Sequence, residues 1–288
     1  MRNKLISSLA GVVFSFAASG LAVAADMPVK APPAAPAPVP TWTGFYGGIE
    51  FGGAWSDEAV NYSANDPASA GFLNGTIFPG QQPMPTSYRI PQSGAVGGFE
   101  AGYNWQAGSN WLLGIETDFS FAGMNGHASA TSSVGSGFTV TTTAEQSTDW
   151  YGTIRGRAGW LATPNLLLFG SGGFAYGRVA DSANFQGGFF GFATIGGFSL
   201  SCPAIAVCMA GASSAIRTGW TAGGGLEWLL DQHWSAKVEY QFVDLGSETV
   251  RVTAFAVAPN APGAALASFN AAFHDRFNVV RLGLNYHF

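Results

Sequence analysis

The chain has 288 residues, of which 10% are charged, 14% are aromatic and 40 are glycine, whereas a soluble domain usually carries about 25% charged residues and roughly 7% glycine. This composition argues against an ordinary cytosolic enzyme, and a polytopic helical membrane protein is excluded because no apolar run beyond the N-terminus approaches the ~18 residues that a membrane helix needs. The formal net charge is −5, and the sequence contains no run of like charges. Both observations disfavour nucleic acid as a partner.

The N-terminal segment predicts export. Two basic residues, an apolar stretch over residues 5–21 and a run of small residues follow one another, which is the order of a secretory signal. We interpret residues 1–25 as a signal peptide, cleaved after Ala24 or Ala25, rather than as an uncleaved anchor helix.

A proline-rich segment follows the signal peptide. Residues 26–41 contain six prolines among alanine and valine, so this segment cannot form a helix or pair as a strand. We interpret it as a semi-rigid periplasmic linker, with a ligand for a proline-binding domain as the alternative. Residues 42–288 are then the third predicted domain.

That domain alternates with a period of two residues, which is typical of β-strands. In the first segment Phe45, Ile49 and Phe51 share one face, whereas Tyr46 and Glu50 share the other. Seven further segments repeat the alternation, and their apolar faces carry Phe99 and Trp105, Trp111 and Ile115, Trp150 and Ile154, Leu168 and Phe174, Trp220 and Leu226, Trp234 and Val238, and Val280 and Leu284. The sequence therefore predicts eight strands, each with one apolar face.

The connections between these segments alternate in length. Tight turns are predicted at residues 107–110, 163–165 and 231–233, and long loops rich in Gly, Ser, Ala and Pro at residues 56–92, 123–145, 179–213 and 246–271. Short turns at one end and long loops at the other are typical of outer-membrane barrels. We therefore predict an all-β fold: an eight-stranded antiparallel up-and-down transmembrane β-barrel with short periplasmic turns and long extracellular loops.

Tryptophan placement supports lipid on the outside of this barrel, because aromatic girdles mark both membrane interfaces. The predicted periplasmic girdle contains Trp105, Trp111, Trp160, Trp228 and Trp234, and the outer girdle contains Trp55, Trp150 and Trp220. Trp42 lies outside this pattern, just before the first strand. A soluble lipocalin-like barrel would place apolar residues inside and polar residues outside, which is the opposite arrangement.

One irregularity occurs in the last strand. Phe277 and Val279 fall on its polar phase. We interpret them as a bulge or as packing at the rim.

The polar faces predict a cluster of charges inside the barrel. Eight strands leave an interior just wide enough for side chains, so no wide channel is expected. The candidate interior charges are Glu50, Glu100, Glu116, Asp118, Arg155, Arg157, Glu227, Lys237, Glu239 and Arg281.

Neighbouring strands interleave these acids and bases. The expected neighbours are Glu116 and Asp118 with Arg155 and Arg157, Glu227 with Lys237, and, through barrel closure, Arg281 with Glu50. Because a buried charge without a partner is costly, we expect these groups to pair. The cluster is either a proton or ion path or a gate, or it is a structural plug, and we favour the plug.

Four segments carry a family resemblance: WTGFYGG at residues 42–48, WYGTIRGRAG at 150–159, KVEYQFVDLG at 237–246 and VRLGLNYHF at 280–288. Together they resemble the small alphaproteobacterial outer-membrane immunogenic or porin-family proteins, which are akin to the eight-stranded membrane barrel of OmpA. The resemblance implies a structural, envelope-stabilising surface antigen of the Gram-negative outer membrane, with passive transport of small solutes or ions as the alternative. Tyr286 and the terminal Phe288 are similar to the signal that such proteins present to the barrel-assembly machinery.

Catalytic motifs are missing from the sequence. It contains no Gly-x-x-x-x-Gly-Lys, His-Glu-x-x-His or Gly-x-Ser-x-Gly. The best enzyme hypothesis is a barrel hydrolase such as a lipid A deacylase, with His274 as the base near the outer rim, but a solvated rim histidine is the favoured interpretation. We therefore assign no catalytic, cofactor-binding or metal-binding residue and expect a protein that is not an enzyme.

Two pairs of residues on the outer side suggest specific bonds. Cys202 and Cys208 lie in the third long loop without a histidine or further cysteine for a zinc site, so we predict a disulfide. Arg178 and Arg276 are candidates for contacts with lipopolysaccharide phosphates, with plain solvation as the alternative. The expected partners are thus outer-membrane lipids, lipopolysaccharide and the assembly machinery, while the oligomeric state is left open.

Overall fold

The computed structural model describes residues 41–74, 84–134, 138–195, 198–254 and 268–288. The predicted signal peptide and almost all of the predicted linker lie outside these residues, and both stay predictions. The elements are β1 Gly44–Ala64, α1 Pro67–Leu73, β2 Ser87–Ala107, β3 Trp111–Val134, β4 Phe138–Thr163, β5 Leu166–Ile195, β6 Phe198–Leu229, β7 Trp234–Ala254 and β8 Ser268–His287.

The eight strands form a closed barrel in which each strand is antiparallel to its neighbours in chain order. Closure between β1 and β8 places Ile49 opposite Leu284 and Gly47 opposite Tyr286. The predicted up-and-down barrel is therefore confirmed. Among the described residues, no helix has the length and apolar character needed to cross a membrane.

The three tight turns occur where the sequence predicts them, between β2 and β3, β4 and β5, and β6 and β7. Gly108 in the first turn adopts φ +75°, a left-handed conformation that glycine tolerates without steric cost.

The predicted extent of the four long loops is wrong. Strands continue through most of segments 123–145 and 179–213, and they extend into both ends of segments 56–92 and 246–271. Beyond the membrane the strands still alternate, but with apolar residues inside, such as Val250 and Val252, and polar residues outside. The lack of an apolar outward face makes these strands look like loops in the sequence.

In the membrane-spanning part, the outward residues are apolar and the inward residues are charged. Phe45 is 67% exposed on the outside, whereas Glu50 and Glu116 are buried inside. Trp111 of β3 lies opposite Trp160 of β4 at the periplasmic end, as the girdle pattern requires.

Trp42, which lies outside the girdle pattern, is inside the barrel. Its side chain is buried, and its Nε1 donates a hydrogen bond of 3.0 Å to the carbonyl oxygen of Pro164. It belongs to an apolar cluster inside the periplasmic end together with Leu112, Leu161, Leu167, Phe169 and Leu229. Trp42 thus turns inward because the periplasmic end of the lumen offers it an apolar site.

The two irregular residues of β8 also have a different explanation. Phe277 and Val279 point inward into an apolar layer with Tyr151 and Val243. The β7–β8 register is continuous there, with Phe277 opposite Val243, so these residues are neither a bulge nor rim packing. They mark the height at which the interior changes from charged to apolar.

A real bulge lies in β4. Against β5, Asp149 is an extra residue between the pairs Thr148–Val179 and Trp150–Arg178, and the register against β3 also shifts by one residue at this height. Asp149 and Trp150 consequently both lie on the outer side, although alternation places Asp149 on the inner face.

Candidate functional site

All ten candidate interior charges lie inside the barrel at the level of the membrane. Their side chains are no more than 1% exposed. We call these ten residues the interior charge network: Glu50, Glu100, Glu116, Asp118, Arg155, Arg157, Glu227, Lys237, Glu239 and Arg281. Glycines make room for it: a Cβ on Gly102 would lie 2.4 Å from the Tyr46 hydroxyl oxygen.

Arg155 is the centre of one side of the network. Its guanidinium donates hydrogen bonds to Glu116 and to Glu239, and its Nη2 lies 3.1 Å from Asp118 Oδ2. Glu239 belongs to β7, which is not a neighbour of β4, so this arginine ties opposite walls together. Such bidentate, charge-assisted contacts are the strong class of hydrogen bond.

Arg157 links the network to the periplasmic side. Its Nη2 donates to Glu227 Oε2 at 2.6 Å and its Nη1 to the Tyr46 hydroxyl at 2.9 Å. Tyr46 in turn donates to Glu116 Oε2 at 2.6 Å. Glu227 and Lys237 are register neighbours, as expected, but the ion-pair partner of Glu227 is Arg157, because Arg157 reaches it across the lumen.

Lys237 lies among three carboxylates. Its Nζ donates to Glu100, is 3.3 Å from Glu116 Oε2 and is 3.5 Å from Glu239 Oε2. One oxygen from each of these acids lies within 4.8 Å of the others, a spacing that also suits a metal ion. The ammonium group already supplies the cation there, so the geometry does not call for a metal.

Arg281 holds the third group of carboxylates. Its Nη1 donates to Glu50, so the pair that barrel closure predicts is present, and its Nη2 donates to Asp118 at 3.2 Å and Glu239 at 2.8 Å. Ser120 adds a 2.6 Å hydrogen bond to Glu50 Oε1. Removing Arg281 would therefore leave three buried acids short of a partner.

Apolar layers lie on both sides of the network. The Trp42 cluster fills the periplasmic end, and the layer around Tyr151 and Phe277 fills the lumen on the outer side. The described interior is thus a stack of packed layers around ion pairs.

A second polar cluster, which the sequence does not predict, lies just beyond the outer girdle. Arg217 of β6 donates to Asp181 Oδ2 at 3.0 Å and lies 2.9 Å from Asp275 Oδ2 and 3.4 Å from Glu248 Oε2. Gln146 donates to Asp275 Oδ1 at 2.6 Å. We call these five residues the upper cluster. They fall in the predicted loops or at the rim. The sequence feature that could have revealed them is the alternation of inward and outward residues, which continues past the girdle.

Burial changes the acidity of the upper cluster. It raises the pKa of Asp181 to about 7, with repulsion from Asp275 as a further cause, and the pKa of Asp275 to about 6, although Arg217 opposes both shifts. Both carboxyls therefore titrate near neutral pH.

The two rim arginines are exposed and each has an acidic partner. Arg178 Nε lies 3.6 Å from Asp149 Oδ2, and Arg276 Nε donates to Asp244 Oδ2 at 2.9 Å. His274, the candidate base, is half-buried on β8 opposite Ser247 of β7.

Among the described side chains, Cys208 is half-buried and disulfide-bonded. The side chain of Cys202 lies outside them, so the predicted pairing stays a prediction. At the other end of the barrel, the Tyr286 ring packs 5.2 Å from both Trp234 and Phe288, and Phe288 is 82% exposed.

Comparison with known proteins bears on this architecture. The model of the outer membrane protein beta-barrel domain matches residues 16–288. The chain belongs to this family. It is 32% identical, over the full length of both chains, to the 31 kDa outer-membrane immunogenic protein of Brucella melitensis. The resemblance read from the four segments is confirmed, and the protein is an outer-membrane β-barrel protein.

Two further similarities are more distant. The 22 kDa outer membrane protein of Rhizobium leguminosarum is 26% identical over 78% of this chain and 71% of its own. The crystal structure of OprG from Pseudomonas aeruginosa aligns with 85% of this chain and 96% of its own at 13% identity, with a TM-score of 0.39, and we draw no functional argument from it.

Proposed function

We propose that this outer-membrane barrel is a non-catalytic structural protein that stabilises the envelope and displays a surface antigen, and that it does not conduct solutes. The observation that carries the proposal is the interior charge network, in which four bases cross the lumen to bind six acids. An ion passing through would have to separate those pairs, and the cost of an unpaired buried charge is several kcal/mol.

The alternative, passive transport, is tested by conductance. Refolded monomer in planar bilayers should show at most small, intermittent currents, and vesicles containing it should take up sugars no faster than empty vesicles. A wide 16-stranded porin reconstituted in the same lipid is the positive control. Stable large-conductance steps from verified monomer would replace the structural proposal with transport.

Steps seen only after cross-linking would have a different meaning. They would locate a pore between subunits and leave the monomer lumen closed. The cross-linking yield, measured on the same samples, shows whether conductance follows the oligomer or the monomer.

The proposed antigenic surface is the outward face of the strands beyond the outer girdle. The outer part of β1, from Trp55 in the girdle to the strand end at Ala64, is roughly 30 Å long. Antibodies raised against the whole protein should bind intact cells through this surface. Binding that requires permeabilised cells would contradict it.

The assembly machinery is the proposed partner during biogenesis. At the end of the closing strand, Phe288 presents an exposed aromatic ring that packs against the half-buried ring of Tyr286. Phe288→Ala should slow membrane assembly in cells without changing refolding of purified protein, whereas loss of refolding as well would make Phe288 a packing residue.

A further inference from the structure

A groove crosses the outer face of the barrel just beyond the outer girdle. Its volume is about 520 Å³, and residues from β3, β4, β5 and β6 line it. Register places these residues at one height: Asn125 lies opposite Ser147, and Glu145 lies opposite Ser182. These side chains are at least partly exposed and alternate with buried, inward residues such as Gln146, so the groove opens to the outside.

The β4 bulge and small side chains explain the concavity. A bulge bends its strand and increases local twist, and the extra residue Asp149 lies directly below the groove. Ala180 and Ser182 of β5 form a low floor. His127 Nδ1 and Glu145 Oε1, 3.6 Å apart, stand above the floor as one wall.

The position of the groove restricts what can occupy it. Along the outward face of β5, Tyr176 packs against Trp150 in the girdle at 6.1 Å, Arg178 follows, and Ala180 begins the groove floor. Successive outward residues are about 6.6 Å apart. A molecule in the groove therefore lies at headgroup height in the outer leaflet, with an arginine beneath it and lipid chains beneath the arginine.

The lining chemistry suits a saccharide. The groove side chains offer one amide, one imidazole, one carboxylate and several hydroxyls, from Asn125, His127, Glu145, Ser147, Ser182 and Ser214. Such a set donates to and accepts from many hydroxyl groups at once. No lysine or arginine is among the described lining residues, so a bare phosphate does not fit the groove, whereas Arg178 at its lower edge can bind one.

We propose that this groove binds the phosphorylated saccharide headgroup of an outer-leaflet glycolipid, with the sugar on the Ser182 floor and a phosphate on Arg178. The fit extends over three layers, since acyl chains lie against the girdle aromatics, the phosphate meets the guanidinium and the sugar meets the hydroxyl-rich groove. This proposal does not depend on whether the lumen conducts.

The first test fills the groove. Full-length protein in phosphatidylcholine nanodiscs is titrated with bisphosphorylated lipid A and, separately, with phosphatidylglycerol. We expect at least tenfold tighter binding of lipid A, and at least a tenfold loss of that affinity in Ser182→Trp. The matched control is Asn61→Trp, an exposed position six residues beyond Trp55 on the opposite wall, which should bind lipid A as the natural protein does.

Folding is checked for each variant by the heat-dependent shift in gel mobility. If Ser182→Trp does not fold, His127→Ala replaces it, since that change removes a polar wall without adding volume. Equal affinity for lipid A and phosphatidylglycerol, or an unchanged lipid A affinity in a folded groove variant, would overturn the proposal.

The second test separates phosphate from sugar. Arg178→Gln should weaken bisphosphorylated lipid A several-fold and dephosphorylated lipid A very little. Asp149→Asn should strengthen binding of the phosphorylated form, because it frees Arg178 from its acidic partner. If both variants change the two probes equally, the phosphate does not bind at Arg178 and the assigned orientation is wrong.

Discussion

The membrane-spanning and extracellular halves of this barrel use the same strands with opposite face patterns. In β1, Phe51 faces lipid and Glu50 faces the lumen, whereas nine residues later Val60 is buried inside and Asn61 is exposed outside. The pairing of β1 with β2 does not change between the two halves, since the register of these two strands is continuous. The surrounding medium, lipid or water, thus decides which face is apolar.

The two interiors consequently differ in what holds them together. The membrane half relies on buried ion pairs, which cost much to break because a lone charge remains. The extracellular half has an apolar core that includes Tyr62, Phe185, Phe269 and Phe273, as a soluble barrel would. Its energy comes from removing apolar surface from water.

The largest expected effect is in the membrane half. Arg281→Leu removes the ion-pair partner of Glu50, while Asp118 and Glu239 keep Arg155, so we expect a loss of about 3–5 kcal/mol in the free energy of unfolding, measured by urea titration in detergent. Adding Glu50→Leu should recover part of the loss. Simple additivity of the two changes would mean that the pair contributes no coupling.

The matched control for that change is Arg276→Leu. Arg276 pairs with Asp244 at 2.9 Å, but its side chain is 44% exposed. An exposed pair contributes about 0–1 kcal/mol, so this variant should unfold close to the natural protein. A loss as large as that of Arg281→Leu would erase the distinction between buried and exposed pairs.

Next in size is a core truncation in the extracellular half. Phe273→Ala removes a buried ring and should cost about 3–5 kcal/mol locally, seen as faster amide exchange and proteolysis of the strand ends. The heat-dependent gel shift of the membrane half should persist. Phe51→Ala, which removes the same side chain from the lipid-facing surface, should leave exchange of the strand ends unchanged.

The third effect is on pH. Because burial raises the folded pKa of Asp181 to about 7 and that of Asp275 to about 6, the folded state binds protons more tightly than the unfolded chain. Stability of the extracellular half is then fully present below about pH 4 and is lost as pH rises towards 7. We therefore expect the stability of the extracellular half to decrease between pH 4 and 8.

Amide exchange of the strand ends at several pH values measures this effect. Asp181→Asn should flatten the profile and protect the strand ends at pH 8. A profile that rises with pH in the natural protein would contradict the assignment of these two carboxyls.

The smallest expected effect concerns the cysteines. A disulfide between Cys202 and Cys208 would close a ring of about seven residues and stabilise it by roughly 2 kcal/mol. Reduction should therefore increase exchange near the tip of β5 and β6 without altering the barrel. Mass spectrometry that finds two free thiols in unreduced protein would remove the disulfide.

Much of the architecture follows from local sequence pattern. Alternation with a period of two, girdle tryptophans and tight turns are properties of short segments that lipid and strand geometry require of each segment separately. They therefore predicted the eight strands, their order and the inward direction of all ten interior charges. The extracellular strands escaped the same reasoning because their alternation is inverted in water, as at Val250 and Val252.

What only the tertiary structure decided is how side chains from distant strands meet. The strand order in the sequence predicts only which residues of neighbouring strands lie side by side. It therefore predicted Arg281 beside Glu50 correctly, but it gave Glu227 the neighbour Lys237 and not its ion-pair partner Arg157. Long side chains that point into a narrow lumen reach beyond the adjacent strand, as Arg155 of β4 does to Glu239 of β7. The inward turn of Trp42 has the same origin, because it depends on an interior site that exists only after the barrel closes.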